Sequence, residues 1–347
     1  MSRQNVRIGN KEVMPGQSVI LDLPMASLYS HAPINLPVQV IHGKRDGPRL
    51  FVSAAIHGDE INGVEIIRRL LRMPLVKKLH GTLMAIPIVN VYGFVSRSRY
   101  LPDRRDLNRS FPGSESGSMA ARLAELFLTE IVAQCDYGID LHTGAVHREN
   151  LPQIRANLDH PETARIARAF HVPVLLNANI RDGSLRQVAM EHDIPILLYE
   201  AGEALRFDER SIRAGVKGII AVMRELGMLP ASRGRGGNEP LVARASSWVR
   251  AGRSGILRVT VPLGARVRKG QVIGVIADPF GQQELEVQAS AGGIIIGRTN
   301  LPLVNEGEGL FHIARFDSTR EAESTVEAFQ ADELPLGATL DDEPPIV

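Results

Sequence analysis

A chain of 347 residues exceeds the usual size of one domain, so a large domain with a smaller companion is expected. Its 44% hydrophobic and 23% charged residues suffice for a sizeable core, and a net charge of +1 gives no global field for nucleic acid or an anionic membrane. A single cysteine, Cys135, excludes an internal disulfide and a cysteine-based zinc site. Residues 1–30 hold Asp22 and other polar residues where a secretory signal needs an unbroken apolar stretch. No segment approaches the roughly 20 apolar residues that span a bilayer, so a cytoplasmic protein is expected.

Residues 1–47 read as a β segment that packs on one domain or the other. From 48 to 232, short apolar runs alternate with amphipathic segments, which predicts an α/β domain: a mixed, mostly parallel sheet flanked by helices. Strand candidates at 50–57, 82–90, 136–142, 172–178 and 194–200 are rich in Val, Ile and Leu, as strands buried on both faces must be. Between them, Ile61, Val64, Ile67 and Leu71, then Met119, Leu123, Leu126 and Ile131, recur at helical spacing. Segment 209–229 repeats this through Ile212, Val216, Ile219, Ile220, Met223 and Leu226, with Gly227 as its terminator. A polar, glycine-rich stretch at 231–240 marks the domain boundary. Short β-like runs at 255–261, 272–277, 285–289 and 293–297 then predict a smaller all-β, barrel-like domain over 238–316. After Arg315, nine acidic residues face the single Arg320, and 317–347 is expected to be a solvated acidic tail.

Three strand candidates end in residues able to do chemistry, and ligands of open α/β sheets collect at the carboxyl ends of strands. In His57-Gly58-Asp59-Glu60, a histidine and a glutamate three apart at a strand-to-helix turn offer a nitrogen and a carboxylate oxygen to one ion, and Gly58 permits a tight turn. That pair alone is common and needs a third ligand. His142 supplies it at the end of the apolar run Tyr137-Gly138-Ile139-Asp140-Leu141, and two histidines with one glutamate leave a coordination position for water. Asp140 reads equally as a partner that orients a ligand and as a structural strand-end carboxylate. A carboxylate ending the apolar run Ile196-Leu197-Leu198-Tyr199 costs free energy unless it is paired or functional, so Glu200 is the candidate general base, with Glu203 as the fallback.

Five arginines, at 97, 99, 104, 105 and 109, fall within 13 residues. The guanidinium fork grips carboxylates bidentately, so such a loop suits an acidic substrate, although a solvated basic loop accounts equally for Arg97, Arg104 and Arg105. Asp106-Leu107-Asn108-Arg109 is the sharper element.

Together, His57-Gly58-Asp59-Glu60, Asp106-Leu107-Asn108-Arg109-Ser110-Phe111, Asp140-Leu141-His142-Thr143-Gly144 and Glu200-Ala201-Gly202 resemble the succinylglutamate desuccinylase and aspartoacylase family. That family is a branch of the zinc carboxypeptidase fold, and the resemblance spans about residues 50–205. It implies one Zn²⁺ per chain on His57, Glu60 and His142, Glu200 as catalytic carboxylate, and Asn108 and Arg109 binding a substrate carboxylate. It also implies an upstream arginine that polarises the carbonyl. Arg99 fits that role best because a tyrosine follows it, while two extra residues before Asp106 keep Arg97, Arg104 and Arg105 in contention. The β segment is similar to the barrel appended in this family and faintly to biotinyl or lipoyl carriers. Glu286-Val287-Gln288-Ala289 offers no lysine, so covalent carriage is rejected and the segment is expected to shape the cleft or form an oligomer contact.

The expected activity is a zinc-dependent deacylase or amidohydrolase that acts on a small carboxylate-bearing N-acyl amino acid or related compound, as a monomer or homo-oligomer, without nucleic acid or membrane. A metallocarboxypeptidase acting on peptides is the second enzyme reading, and a metal-free binding protein the third. Of the remaining histidines, His147 lies close enough to His142 in sequence to reach the cleft.

Overall fold

The computed structural model describes residues 3–178, 182–231 and 239–332. Strands without a solvent-facing side form its centre. Thr82–Ile86, Arg49–Ala54, Tyr137–Gly144 and Ile196–Glu203 lie side by side in that order, parallel and almost wholly buried. Such strands need apolar residues on both faces, and Arg49–Ala54 shows the division. Leu50, Val52 and Ala54 join a core with the helices Asn62–Arg72, Pro161–Ala169 and Glu209–Glu225, whereas Phe51 faces a second core with Met119–Glu130 and Leu185–Glu191.

In Glu209–Glu225 the residues read from sequence as a stripe, from Ile212 to Met223, are buried. The stripe of the first helix is turned from the expected one: Ile66, Ile67 and Leu70 are buried, whereas Val64 and Leu71 are only partly covered. In Met119–Glu130, Phe127 and Leu128 take the place expected for Leu126 and Met119.

Parallel pairing does not dominate the whole sheet as expected. On one side Pro33–His42 pairs antiparallel with Thr82–Ile86, and Ser18–Ser27 adds outside it, so the amino-terminal segment belongs to the main sheet. On the other, Arg148–Ala156, a strand that the apolar pattern did not mark, pairs antiparallel with Ile196–Glu203. The sheet then continues antiparallel through Gly293–Thr299, Gly309–Arg315 and Ala245–Arg250, while Val174–Asn177 and Leu241–Ala243 branch off parallel.

The carboxyl-terminal strands therefore form no closed barrel among the described residues. Some extend the main sheet, and Glu284–Gln288, Val272–Ala277, Gly255–Val259 and Leu303–Val304 form a separate antiparallel sheet, packed with Leu310, Phe311 and Ile313. Val174–Asn177 covers only residues 153–156 of the outer edge of Arg148–Ala156, and the N–H and C=O groups of residues 148–150 are met by Gly293–Thr299. The expected boundary at 231–240 falls largely on residues 232–238, outside the described residues.

The segment expected as a solvated tail is in part a helix, Thr319–Asp332. Ala322 and Val326, four residues apart, are both 1% exposed and pack with Leu151, Ile294 and Ile296, a short apolar stripe hidden by acidic composition. Residues 333–347 lie outside the described residues. No described helix is long and apolar enough to cross a membrane.

Because the carboxyl-terminal strands are hydrogen-bonded into the main sheet, the chain should unfold as one unit. The only tryptophan, Trp248, lies on Ala245–Arg250 and reports on that region. Urea unfolding followed by tryptophan fluorescence and by far-UV circular dichroism should give coincident transitions; a separate earlier fluorescence transition would show an independent carboxyl-terminal unit.

Candidate metal centre and cleft

The turn after Arg49–Ala54 is shaped by what packs on it. Ala55 takes a left-handed φ of 51°, and the chain then presents His57 and Glu60 before the helix Asn62–Arg72 begins. Gly58 was expected to relieve a tight turn, but its φ is not left-handed. Its need is space: a Cβ there would lie 2.0 Å from the backbone carbon of Gly93. Asn90 fixes this approach, because its Oδ1 accepts from Gly93 N at 2.8 Å, its N–H donates to Ala55 O at 2.9 Å and its Nδ2 reaches Arg99 O at 3.4 Å.

His57, Glu60 and His142 meet here, 4%, 2% and 4% exposed, with one potential ligand atom from each lying within 4.8 Å of the others. Nδ1 of His57 is 2.8 Å from Glu60 Oε1, and Nδ1 of His142 is 2.7 Å from Glu60 Oε2. The outer nitrogens are occupied: His57 Nε2 contacts Asp106 Oδ1 at 3.1 Å, and His142 Nε2 contacts Asp140 Oδ2 at 2.7 Å. Asp140 in turn accepts from Ser53 Oγ at 2.8 Å. With a carboxylate on Nε2, the neutral form of each ring would turn its Nδ1 lone pair inward, the arrangement that metal-ligating histidines use.

Charge balance tests the fit. Burial disfavours every charge here, yet the two imidazoles hold the Glu60 carboxyl well below the usual carboxylate range, and His57 and Arg99 do the same for Asp106. Against the same burial, Glu60 raises His57, and Asp140 with Glu60 raises His142 well above an ordinary histidine. The carboxylates of Glu60, Asp106 and Asp140 thus outnumber the one guanidinium, and protons on the imidazoles offset the excess. A divalent cation would supply two positive charges at the same point, so these residues could hold a metal ion.

Arg99 closes this cluster. Its Nη2 donates to Asp106 Oδ2 at 2.9 Å, and its Nη1 lies 3.3 Å from Glu60 Oε1 and 3.2 Å from His57 Nδ1. Of the four arginines considered for that position, Arg99 lines the cleft; Arg104 and Arg105 are exposed, and Arg97 ends the short helix Val91–Ser96 with a left-handed φ. Asp106, to which sequence reasoning gave no role, also accepts from Asn108 N at 2.9 Å, so one carboxylate holds a histidine, an arginine and the start of the Asn108-Arg109 turn. Asn108 Oδ1 accepts from Leu185 N at 2.9 Å.

The cleft is about 180 Å³ and is lined by Arg99, Arg109, Arg148, Arg155 and Arg186, with Glu60 and Glu200 as its acidic groups. Glu200 stands on the strand next to that of His142, directly across from it in register. Its Oε2 accepts from Asn150 Nδ2 at 2.7 Å. The fallback Glu203 does not line the cleft; it accepts from His147 N at 3.0 Å and Asn300 Nδ2 at 2.9 Å and so ties down the following loop, with His147 itself outside the lining.

The carboxyl-terminal segment, expected to shape the cleft or form an oligomer contact, supplies part of one wall through a residue that the sequence reading did not single out. Trp248 stacks on His312 at 4.8 Å between ring centroids, and the Arg148 guanidinium lies 5.3 Å over the indole. That wall, with Asn150 and Arg155, comes from the unmarked strand Arg148–Ala156 and from the carboxyl-terminal strands.

A sequence profile of the succinylglutamate desuccinylase/aspartoacylase catalytic domain matches residues 46–226. N-alpha-acetyl-L-2,4-diaminobutyric acid deacetylase of Halomonas elongata is 27% identical over 313 residues, covering 86% of this chain and 91% of that protein. The crystal structure of a succinylglutamate desuccinylase/aspartoacylase from Rhodobacter sphaeroides superposes with a TM-score of 0.76 at 25% identity, covering 86% of this chain and 95% of that one. The product-bound ectoine utilization protein EutE (DoeB) of Ruegeria pomeroyi shares the fold, with a TM-score of 0.78 at 23% identity over 86% of this chain and 95% of that one.

Burial, with the nearby Arg155 charge, pushes His312 down from 6.5 to about 3, so it folds as a neutral ring. The unfolded chain binds that proton from pH 6.5 downward, so stability is lost as pH falls towards 3 and is unaffected above. In His312→Phe, urea titrations across this range should show an acid-side slope smaller by roughly 1 kcal/mol per pH unit. An unchanged slope would place the acid sensitivity elsewhere.

Proposed function

The chain belongs to the succinylglutamate desuccinylase/aspartoacylase family, and from that premise we propose that it is a zinc-dependent deacylase. Its substrate is a small N-acyl amino acid, or a related amide, that carries a carboxylate. One juxtaposition supports this: the inward nitrogens of His57 and His142 and the Glu60 carboxylate share a point at the strand ends, with Glu200 on the next strand and Arg99 alongside. The deacetylase of Halomonas elongata supports amide hydrolysis and a small acyl group.

His57, Glu60 and His142 would hold the ion, and Zn²⁺ there would supply Lewis acidity and lower the pKa of water. Glu200 takes the proton of the attacking water and returns it to the departing amine. Arg99, braced by Asp106, donates to the carbonyl oxygen as negative charge develops there. Asn108 has its Oδ1 committed to the Leu185 amide, which leaves Nδ2 as the donor that grips the substrate carboxylate together with Arg109. The amide bond is thereby turned towards Glu200 and the side chains that would hold the ion. The arginine-rich lining attracts an anionic substrate and repels a cationic one.

The protein prepared with zinc should hold about one ion per chain, and His142→Ala should lose it, as read by elemental analysis. On a panel of N-acetyl-L-2,4-diaminobutyrate, N-acetyl-L-aspartate and N-succinyl-L-glutamate, Glu200→Gln should keep the zinc and lose about 10²- to 10⁴-fold in kcat. Undiminished turnover in that variant would sink the assignment of the base. Arg109→Ala should act mainly on KM, raising it by about tenfold or more; an unchanged KM would remove Arg109 from substrate binding.

A further inference from the structure

Glu200 sits where three strands meet, and few contacts fix its carboxylate. Asn150, buried on the neighbouring strand, donates to Oε2 at 2.7 Å. Among the described residues the guanidinium that pairs with Glu200 is that of Arg155, whose Nε is 3.9 Å from Oε1, beyond hydrogen-bond reach. We infer that Asn150 is a positioning residue for the reaction: its amide holds Oε2 so that Oε1 is the oxygen that exchanges the proton. This rests on the reading of Glu200 as the general base.

The choice of an amide has a chemical reason. A carboxamide donates a hydrogen bond without carrying a charge, so it orients a carboxylate while leaving it basic, whereas a cation at the same distance would hold it ionised and weaken it as a base. The amide has no titratable proton of its own, so it cannot compete in the transfer.

Asn150 is held in turn by the carboxyl-terminal part of the chain. It lies between Gly202 on one neighbouring strand and Gly297 on the other. A Cβ on Gly297 would fall 2.8 Å from Asn150 Oδ1, and Gly297 has no left-handed φ that would call for glycine. Space for the carboxamide is what this glycine provides. A residue outside the cleft lining therefore sets where the amide, and through it the carboxylate, comes to rest.

The test uses the full zinc-loaded chain, the three N-acyl compounds named above, and crystal structures of the wild type, Asn150→Leu and Gly297→Ala. Asn150→Leu should lower kcat about 10- to 100-fold while KM stays within about threefold and zinc content is unchanged. Gly297→Ala, a small change remote from the reacting atoms, should give a weaker loss of the same kind and covers the case in which Asn150→Leu does not fold. In the crystals, the Glu200 carboxylate should move or split between two positions in each variant. Glu200→Gln separates the two ideas, because full turnover there overturns the base assignment itself. If Glu200→Gln is inactive but the Asn150 and Gly297 variants keep wild-type kcat, Asn150 has no positioning role. A carboxylate that stays in place in both variant crystals overturns the inference equally, and decides it where none of the compounds is turned over.

Discussion

The Glu60 carboxylate, 2% exposed, is the constraint around which the site is organised. A bare carboxylate in such a place is costly, so cationic groups and donors must surround it. Thr143 N–H, the two imidazoles and Arg99 all do so. These come from three separate stretches of chain, and the demand of one charge is what draws them together. The outer carboxylates Asp106 and Asp140 then fix which way each imidazole faces, and the Gly58 to Gly93 approach holds the arginine loop against the histidine turn.

How much of this the residues alone revealed follows from their chemistry. That His57, Glu60 and His142 come together was legible because titratable side chains closing apolar runs stand out, and the place of Glu200 in the cleft for the same reason. Arg99 was distinguishable from its neighbours only by motif, since five arginines in a row of loop residues have the same composition whichever way they point. The strand Arg148–Ala156 escaped because Arg148, Asn150, Gln153 and Arg155 interrupt its apolar pattern, and three of these line the cleft. A pattern that fails where side chains face a polar site is failing at a functional position.

Long-range pairing accounts for the other departures. The parallel centre is local in logic, strand then helix then strand, and reads well. That Pro33–His42 and Gly293–Thr299 complete opposite sides of the same sheet depends on edges the chain leaves open far away in sequence. Trp248, the sole tryptophan, carried no periodic signal at all, yet it forms a wall of the cleft.

The continuity of this sheet sets a lower limit on how small a folded version of the chain can be. Cutting the chain back to residues 46–226, the portion that matches the family profile, would strip Thr82–Ile86 of its amino-terminal neighbour and Arg148–Ala156 of Gly293–Thr299. Both flanks would then present raw backbone to other molecules, and such a fragment would be driven to self-associate. The portion of this chain that matches the family profile is thus an architectural interior, completed on both flanks by strands that lie outside it in sequence.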